Sequence, residues 1–323
     1  MGRAFARAGL LGNPSDGYGG KAIGVPVRNF AVRVSITRAD SVTVSAGGET
    51  FSCPDLGALV SGGLPPSVDG LERLVLATVL RFTAARPSVI DGSAHSGMNL
   101  ECSTTIPRQV GLAGSSATII ATLRALCDYF ATSISKFDTA EMALATEVHD
   151  LGIVAGPLDR VIQSYEQAMV LDLAGPRSEA SYRALDAGHL PPLLLARTPS
   201  TGRPSGQTHS DLRERWERRD NDVVQVMAEL RDVVDRGVAA LESDDREAFA
   251  DAVDRNYALR LSVTDVTEAD ANMVAIAIRH GAAAKLCGSG GTVLIAPRAH
   301  TDLASLERAY AAAGFPSVRP EIV

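Results

Sequence analysis

The chain has no apolar run approaching the roughly 18–20 residues that a membrane-crossing helix needs. It has no excess of positive charge: 31 Lys and Arg against 38 Asp and Glu leave a net charge of −7. That balance offers no field to attract nucleic acid or an anionic membrane, so neither is expected as a partner. Only four cysteines occur, Cys53, Cys102, Cys127 and Cys287, and none is spaced as CxxC. Neither a zinc ribbon nor a disulfide framework is therefore signalled. The six histidines form no HExxH or HxH pair, and there is no internal repeat. The start, MGRAFARAGLL, has too short an apolar stretch for a signal peptide and runs at once into a turn, so a reduced, cytoplasmic protein is the expectation.

What remains is ordinary globular composition. The chain has 323 residues, 46% hydrophobic and 21% charged. That length suits about two domains and buries about three quarters of the unfolded surface, so no staples are needed.

Residues 4–11 read as a short buried strand, and 12–20 (GNPSDGYGG) as a loop with four glycines. In 22–37, Phe30, Val32, Val34 and Ile36 alternate with Ala31, Arg33, Ser35 and Thr37, the period of a half-buried strand. A turn at 38–40 leads to SVTVSA (41–46), which predicts a hairpin, and 53–68 read as loop. Asp69 with Glu72 predicts a capping box opening a helix that Pro87 stops. A second capping box, Asp138 with Glu141, predicts a helix to about Asp150. Strands are expected at 99–106, 167–173 and 192–197. The segment 198–210 has almost no apolar content and reads as a mobile loop, a lid or a link. From 211 to about 283 the pattern is mostly helical. Two strands around CGSGG (287–291), a helix near 300–313 and a strand at 316–322 close the chain.

The strongest chemical signal is strand–PRQVGLAGSSA–helix at 107–117. Glycine lets backbone N–H groups point inward where a Cβ would obstruct, and a helix start adds unpaired N–H groups and the positive dipole end. The place suits a phosphate, with Ser115 and Ser116 able to add hydrogen bonds or ligate Mg²⁺. It is not a Walker A loop, since no GK[ST] follows. On local pattern alone, a tight strand-to-helix turn with a serine cap explains it equally well.

IPRQVGLAGSSA (106–117) resembles the central motif of the GHMP small-molecule kinases. Most members have one residue fewer, GLGSSA, and the insertion of Ala113 is similar to the glucuronokinase branch. ARAGLLGNPSDGYGGKAI (6–23) resembles the start of that branch and fits galactokinases less well, which carry Glu-His where this chain has Asn13 and Pro14. AAAKLCGSGGTVLIA (282–296) is similar to the family's C-terminal Gly loop. The resemblance spans residues 6 to 296 in the family's order. It implies an α+β fold of two domains, set at 1–190 and 191–323, the second with a ferredoxin-like sheet and the active site in the cleft.

Under the same resemblance, Pro107, Gly111, Leu112, Ala113, Gly114, Ser115, Ser116 and Ala117 would bind the nucleotide. Asp159, in GPLDR, resembles the catalytic aspartate that accepts the proton of the substrate hydroxyl; a helix cap is the structural alternative. Glu147, twelve residues earlier, has the spacing of the Mg²⁺-binding glutamate and would act with Ser116 first or Ser115 second; the alternative is an exposed helix charge. Arg7 stands where the family places a cation that holds the aspartate ionised and counters charge on the phosphoryl oxygens, unless it is an edge-strand Arg facing solvent. Asp16 resembles the residue that bonds sugar hydroxyls, with Asn13 and Tyr18 beside it. Gly288, Ser289 and Gly290 would pack near phosphates or substrate, or form a bare turn. Cys287 reads as an inert small residue. A uronic acid would favour an Arg in the cleft; Arg108, Arg160 and Arg28 are open candidates, with plain surface exposure the alternative favoured for any one of them. The implied activity is an ATP- and Mg²⁺-dependent kinase acting on a sugar, with the anomeric hydroxyl of glucuronate as first choice. Another sugar such as a heptose, or a mevalonate-like alcohol, is the alternative, and a non-catalytic sugar or nucleotide sensor the third. The protein would work on these small molecules as a monomer or homodimer.

Overall fold

The computed structural model describes residues 1–91, 97–199 and 205–323. The chain runs β1 (Gly2–Leu11), β2 (Lys21–Ala39), β3 (Val42–Ala46), β4 (Glu49–Cys53), α1 (Leu56–Gly62), α2 (Gly70–Ala85), α3 (Ser88–Asp91), β5 (Gly97–Thr104), α4 (Gly114–Tyr129), α5 (Lys136–Ala145), α6 (Leu158–Tyr165), β6 (Met169–Asp172) and β7 (Tyr182–Ala184). It continues through β8 (Leu194–Arg197), α7 (Ser205–Glu217), α8 (Asn221–Glu242), α9 (Arg246–Leu261), α10 (Glu268–Arg279), β9 (Ala282–Leu286), β10 (Thr292–Pro297), α11 (Leu303–Ala312) and β11 (Ser317–Val318).

The first seven strands make one sheet in the order β4-β3-β5-β2-β6-β7, with β1 antiparallel to β2. The period-two reading of β2 holds at its centre, where Val32 and Val34 are fully buried. The expected hairpin of β2 with β3 does not form. β5 lies between them, antiparallel to β2 and parallel to β3. Met98, Leu100 and Cys102 of β5 all face the core, which is the gain that draws it into the middle. The crossing chain passes over Gly97, where a Cβ would stand 2.5 Å from the Ser41 amide and 2.6 Å from the Ala39 carbonyl. The loop expected at 53–68 contains helix α1, capped by Asp55, whose carboxylate accepts from the Ala58 amide at 2.7 Å.

Neither predicted capping box forms. Asp69 precedes α2 without a side-chain cap bond, and the buried Glu72 carboxylate acts on Cys102 of β5. α5 begins earlier than expected and is capped by Ser135, which accepts from the Asp138 amide at 3.0 Å, while Glu141 pairs with Arg177. A π-helical turn, Thr146–Asp150, carries the helix on to the expected end.

The remaining strands form an antiparallel sheet in the order β11-β8-β10-β9, the ferredoxin-like order, with α7 to α10 in its first crossover. The expected loop 198–210 stops at Ser205, where α7 begins, and 200–204 lie outside the described residues. The final strand is shorter than the expected 316–322. A continuous apolar core runs from β1, β2 and α4 to α8 and α9, so the two sheets share one interior.

Candidate active site

Arg7 of β1, the Gly-rich loop with the start of α4, the start of α6 and the 287–291 turn enclose a cleft of about 560 Å³. Arg7 lies in β1 and is 6% exposed, which excludes a solvent-facing edge residue. Its Nε donates to Asp159 Oδ1 at 2.5 Å and its Nη1 to the Gly111 carbonyl at 2.8 Å, with the Cys287 carbonyl at 3.5 Å. One guanidinium thus ties α6, the Gly-rich loop and the 287–291 turn together. Burial alone would disfavour its charge, but Asp159 outweighs burial and the pKa of Arg7 stays raised. Asp159 is in the first turn of α6, where Pro157 holds the cap position, so the cap alternative does not apply.

Glu147 is in the π-helical turn and is 0% exposed, which excludes an exposed helix charge. Its Oε1 accepts from the Ser115 hydroxyl at 2.7 Å. Its Oε2 accepts from Arg160 Nε at 2.5 Å and also from Arg160 Nη2. Burial pulls Arg160 down, to about 9, with Arg7 adding to the effect, so the guanidinium is still charged at neutral pH beside Glu147. Arg160 is therefore committed to Glu147 rather than free for a substrate carboxylate. Arg28 is away from the cleft, donating to the Ile322 and Glu166 carbonyls. Arg108 lines the cleft, with no ion pair among the described residues.

In the Gly-rich loop, Pro107, Gly111, Leu112, Ala113, Gly114 and Ser115 line the cleft, whereas Ser116 and Ala117 do not. The Ser116 hydroxyl donates back to the Ala113 carbonyl at 3.3 Å and is 1% exposed. Successive helical residues point about 100° apart, so it is Ser115, not the first-choice Ser116, that lines the cleft and meets Glu147. The inserted Ala113 takes a left-handed φ of 60° at the start of α4. Such a conformation costs an L-residue on the order of 1–2 kcal/mol. Gln163 braces it, donating to the Ala113 and Phe5 carbonyls, each at 2.9 Å.

Asn13, Asp16 and Tyr18 also line the cleft, on and beside a 3-10 turn, Ser15–Tyr18. Asp16 Oδ2 accepts from the Leu158 amide at 3.2 Å. Burial first, then the nearby Asp159, pushes the Asp16 carboxyl up to about 6. The Tyr18 ring packs on Trp216 of α7 with centroids 5.2 Å apart, and burial raises its hydroxyl to about 12. Gly288 and Ser289 line the cleft but Gly290 does not: it lies between Gly111 and Asp270, filling the space behind the loop. Burial pushes the Cys287 thiol up to about 11, which leaves it protonated and inert.

Two buried cations escaped the sequence reading. Arg260 of α9 donates to the Gly288 carbonyl at 2.6 Å and the Ser289 carbonyl at 3.3 Å. Lys285 of β9 donates to Asn13 Oδ1 at 2.6 Å. A lone charge in the apolar string AAAKL was a usable signal for Lys285, and nothing local marked Arg260.

The Ser115 hydroxyl and the Glu147 carboxylate form a hard oxygen pair at the phosphate-type loop. That set fits Mg²⁺, which takes one or two carboxylates and fills its shell with phosphate oxygens and water. Among the described residues no group of three or more His, Cys, Asp or Glu side chains is placed to hold a metal by itself.

An Arg–Asp pair facing a glycine-rich helix start suits phosphoryl transfer, and the family comparison points the same way. The model of the GHMP kinases N terminal domain matches residues 73–167, and that of the GHMP kinases C terminal domain matches 238–315. The chain belongs to the GHMP kinases and is an enzyme of that family. It is 30% identical to glucuronokinase 1 of Arabidopsis thaliana, covering 97% of this chain and 89% of that protein. To the probable glucuronokinase 2 of the same plant it is 32% identical, covering 97% and 88%. A crystal structure of mevalonate kinase superposes with a TM-score of 0.76 at 16% identity, over 99% of this chain and 98% of that one, which speaks for the fold. No helix among the described residues is long and apolar enough to cross a membrane.

Proposed function

We propose that this protein transfers the γ-phosphoryl group of ATP, with Mg²⁺, to the anomeric hydroxyl of glucuronate or a closely related sugar. The observation that carries the reading is the Arg7–Asp159 pair at 2.5 Å, set in the cleft wall together with the loop at 111–115. Similarity to two glucuronokinases over nearly the whole chain supports the choice of sugar.

In this mechanism the triphosphate lies against the backbone amides at the start of α4, where the dipole favours negative charge. Mg²⁺, held by Ser115 and Glu147, would neutralise charge on the phosphate oxygens. The acceptor sugar lies between the 13–18 loop and the 288–289 turn, with Asp16 as a hydrogen-bond partner of its hydroxyls. Asp159 takes the proton of the attacking hydroxyl as that oxygen bonds to the γ-phosphorus and the bond to the bridging β,γ-oxygen breaks, releasing ADP. Arg7 orients the Asp159 carboxylate and offsets charge developing on the phosphoryl oxygens.

Residues 1–190 and 191–323 are read as two domains, a division supported by the strands of the first sheet all preceding it and those of the second all following it. The four free cysteines fit a reducing, cytoplasmic setting. A panel of uronates, neutral sugars, heptoses and mevalonate, assayed for ADP release with Mg-ATP, tests the substrate. Glucuronate should give the highest kcat/KM. A preference for mevalonate or a neutral sugar would replace this reading, and binding without ADP release would make the protein a sensor.

A further inference from the structure

Lys285 is the one charged residue of β9, between Ala282–Ala284 and Leu286 in sequence, and its side chain is fully buried. No carboxylate pairs with it among the described residues. Its ammonium instead donates to the Gly9 carbonyl at 3.0 Å, Asn13 Oδ1 at 2.6 Å and the Leu286 carbonyl at 2.8 Å. An ammonium has three donors, and all three are used. The acceptors belong to three separate segments: the end of β1, the loop that carries Asn13 and Asp16, and the strand feeding the 287–291 turn. Further bonds follow the same seam. The Gly9 amide donates to the Cys287 carbonyl at 3.0 Å, Asn13 Nδ2 to the Leu286 carbonyl at 3.4 Å, and the Gly12 amide to Asn256 Oδ1 at 2.7 Å. Burying a charge without a counter-charge is costly, and an apolar side chain of the same length would fill the space without that cost. Packing therefore does not account for a lysine here.

We propose that Lys285 is a positioning residue for the acceptor sugar: its ammonium fixes the Asn13 side chain, and through it the 13–18 loop, against the 287–291 turn. It touches no reacting atom. The proposal rests on the reading of that loop as the sugar side of the cleft. The charged and titratable groups around it are Arg7 of β1, Arg260 of α9 and the Cys287 thiol. Asp254 of α9, Asp270 of α10 and Asp16 are engaged with the Ala284, Gly291 and Leu158 amides. Burial, reinforced by Arg260 and Arg7, lowers Lys285 to about 7. The clamp is thus charged and complete on the acid side of neutrality, and loses a proton and a donor as pH rises.

The test uses the full chain and Lys285→Met, with sugar and nucleotide each varied at saturating partner from about pH 6 to 9. At about pH 6 the variant should raise the sugar KM about tenfold, the scale of one lost charge-assisted hydrogen bond, and leave the nucleotide KM within about twofold. Above about pH 7, where the Asp16 carboxyl is already ionised, the wild-type sugar KM should climb toward the variant's value, while the variant stays flat. An unchanged sugar KM, or an alkaline rise that persists in the variant, overturns the proposal. Amide hydrogen exchange gives a readout independent of substrate. The Ser15 and Gly17 amides, which donate to Gly12 and Pro14 carbonyls at 2.7 and 3.1 Å, should lose protection in the variant while α8 keeps its own. Loss of protection throughout the chain would make Lys285 merely structural and refute the positioning role. If the wild type phosphorylates no sugar, the functional reading fails while the exchange result still decides on Lys285.

Discussion

Gly111→Ala isolates the contact between the Gly-rich loop and the 287–291 turn. Gly111 has a φ of +73°, and a Cβ added there would stand 2.5 Å from the Gly290 carbonyl oxygen and 3.3 Å from the Gly290 amide. The left-handed backbone costs an L-residue about 1–2 kcal/mol. The clash adds about 1–3 kcal/mol, because both sides are backbone and neither can rotate away. Relief comes only by parting the loop from the turn, which also stretches the Arg7 bonds to the Gly111 and Cys287 carbonyls. A displacement of about 1 Å at a reacting centre costs on the order of 10²-fold in rate. The variant should therefore lose about 10²-fold or more in kcat/KM and unfold about 5 °C lower by differential scanning calorimetry. Gly114→Ala is the matched control for stability. Its Cβ would meet only Ile106 Cγ2 at 3.6 Å, and it begins α4. There alanine is favoured over glycine by up to about 1 kcal/mol, so its Tm should hold or rise. Equal Tm values for the two variants, or full activity in Gly111→Ala, would refute this reasoning.

Ser115→Ala should raise the Mg²⁺ concentration needed for half-maximal rate by about tenfold, while Ser116→Ala leaves it within about twofold, read from rate against free Mg²⁺; the reverse order would restore Ser116 as the hydroxyl at the metal. Asp16→Asn should stabilise the apo protein in a pH-dependent way. The Asp16 carboxyl titrates at about 6 in the fold against 3.8 ordinarily, so between those values the native state holds the extra proton and stability falls as pH rises. The gain in unfolding free energy, read as a rise in Tm, should be largest near pH 8, bounded by about 3 kcal/mol, and vanish below about pH 4. A pH-independent gain would contradict it, and sugar KM should rise in the same variant.

Features set by neighbours in the chain were legible in the sequence. The alternation in β2 and the glycines before α4 each depend on a few adjacent residues. What failed depended on partners far along the chain or on rotation within one turn. β5 enters between β2 and β3 because of its own buried face and the room at Gly97, which no local pattern records. Ser115 and Ser116 are adjacent in sequence but lie on different faces of α4. Arg7 and Asp159 are 152 residues apart, and only the family resemblance suggested that they meet. Arg160 looked available for a substrate until its bonds to Glu147 were seen. Lys285 finds Asn13 across 272 residues, which left only its isolation in an apolar strand as a clue.

The most direct measurement is ³¹P NMR of the product formed from glucuronate and Mg-ATP by the wild type and by Asp159→Asn. The account predicts an acid-labile anomeric phosphate from the wild type, and the same product from the variant at a turnover lower by about 10²–10⁴. A phosphate on any other hydroxyl, no sugar phosphate at all, or undiminished turnover in the variant would contradict it.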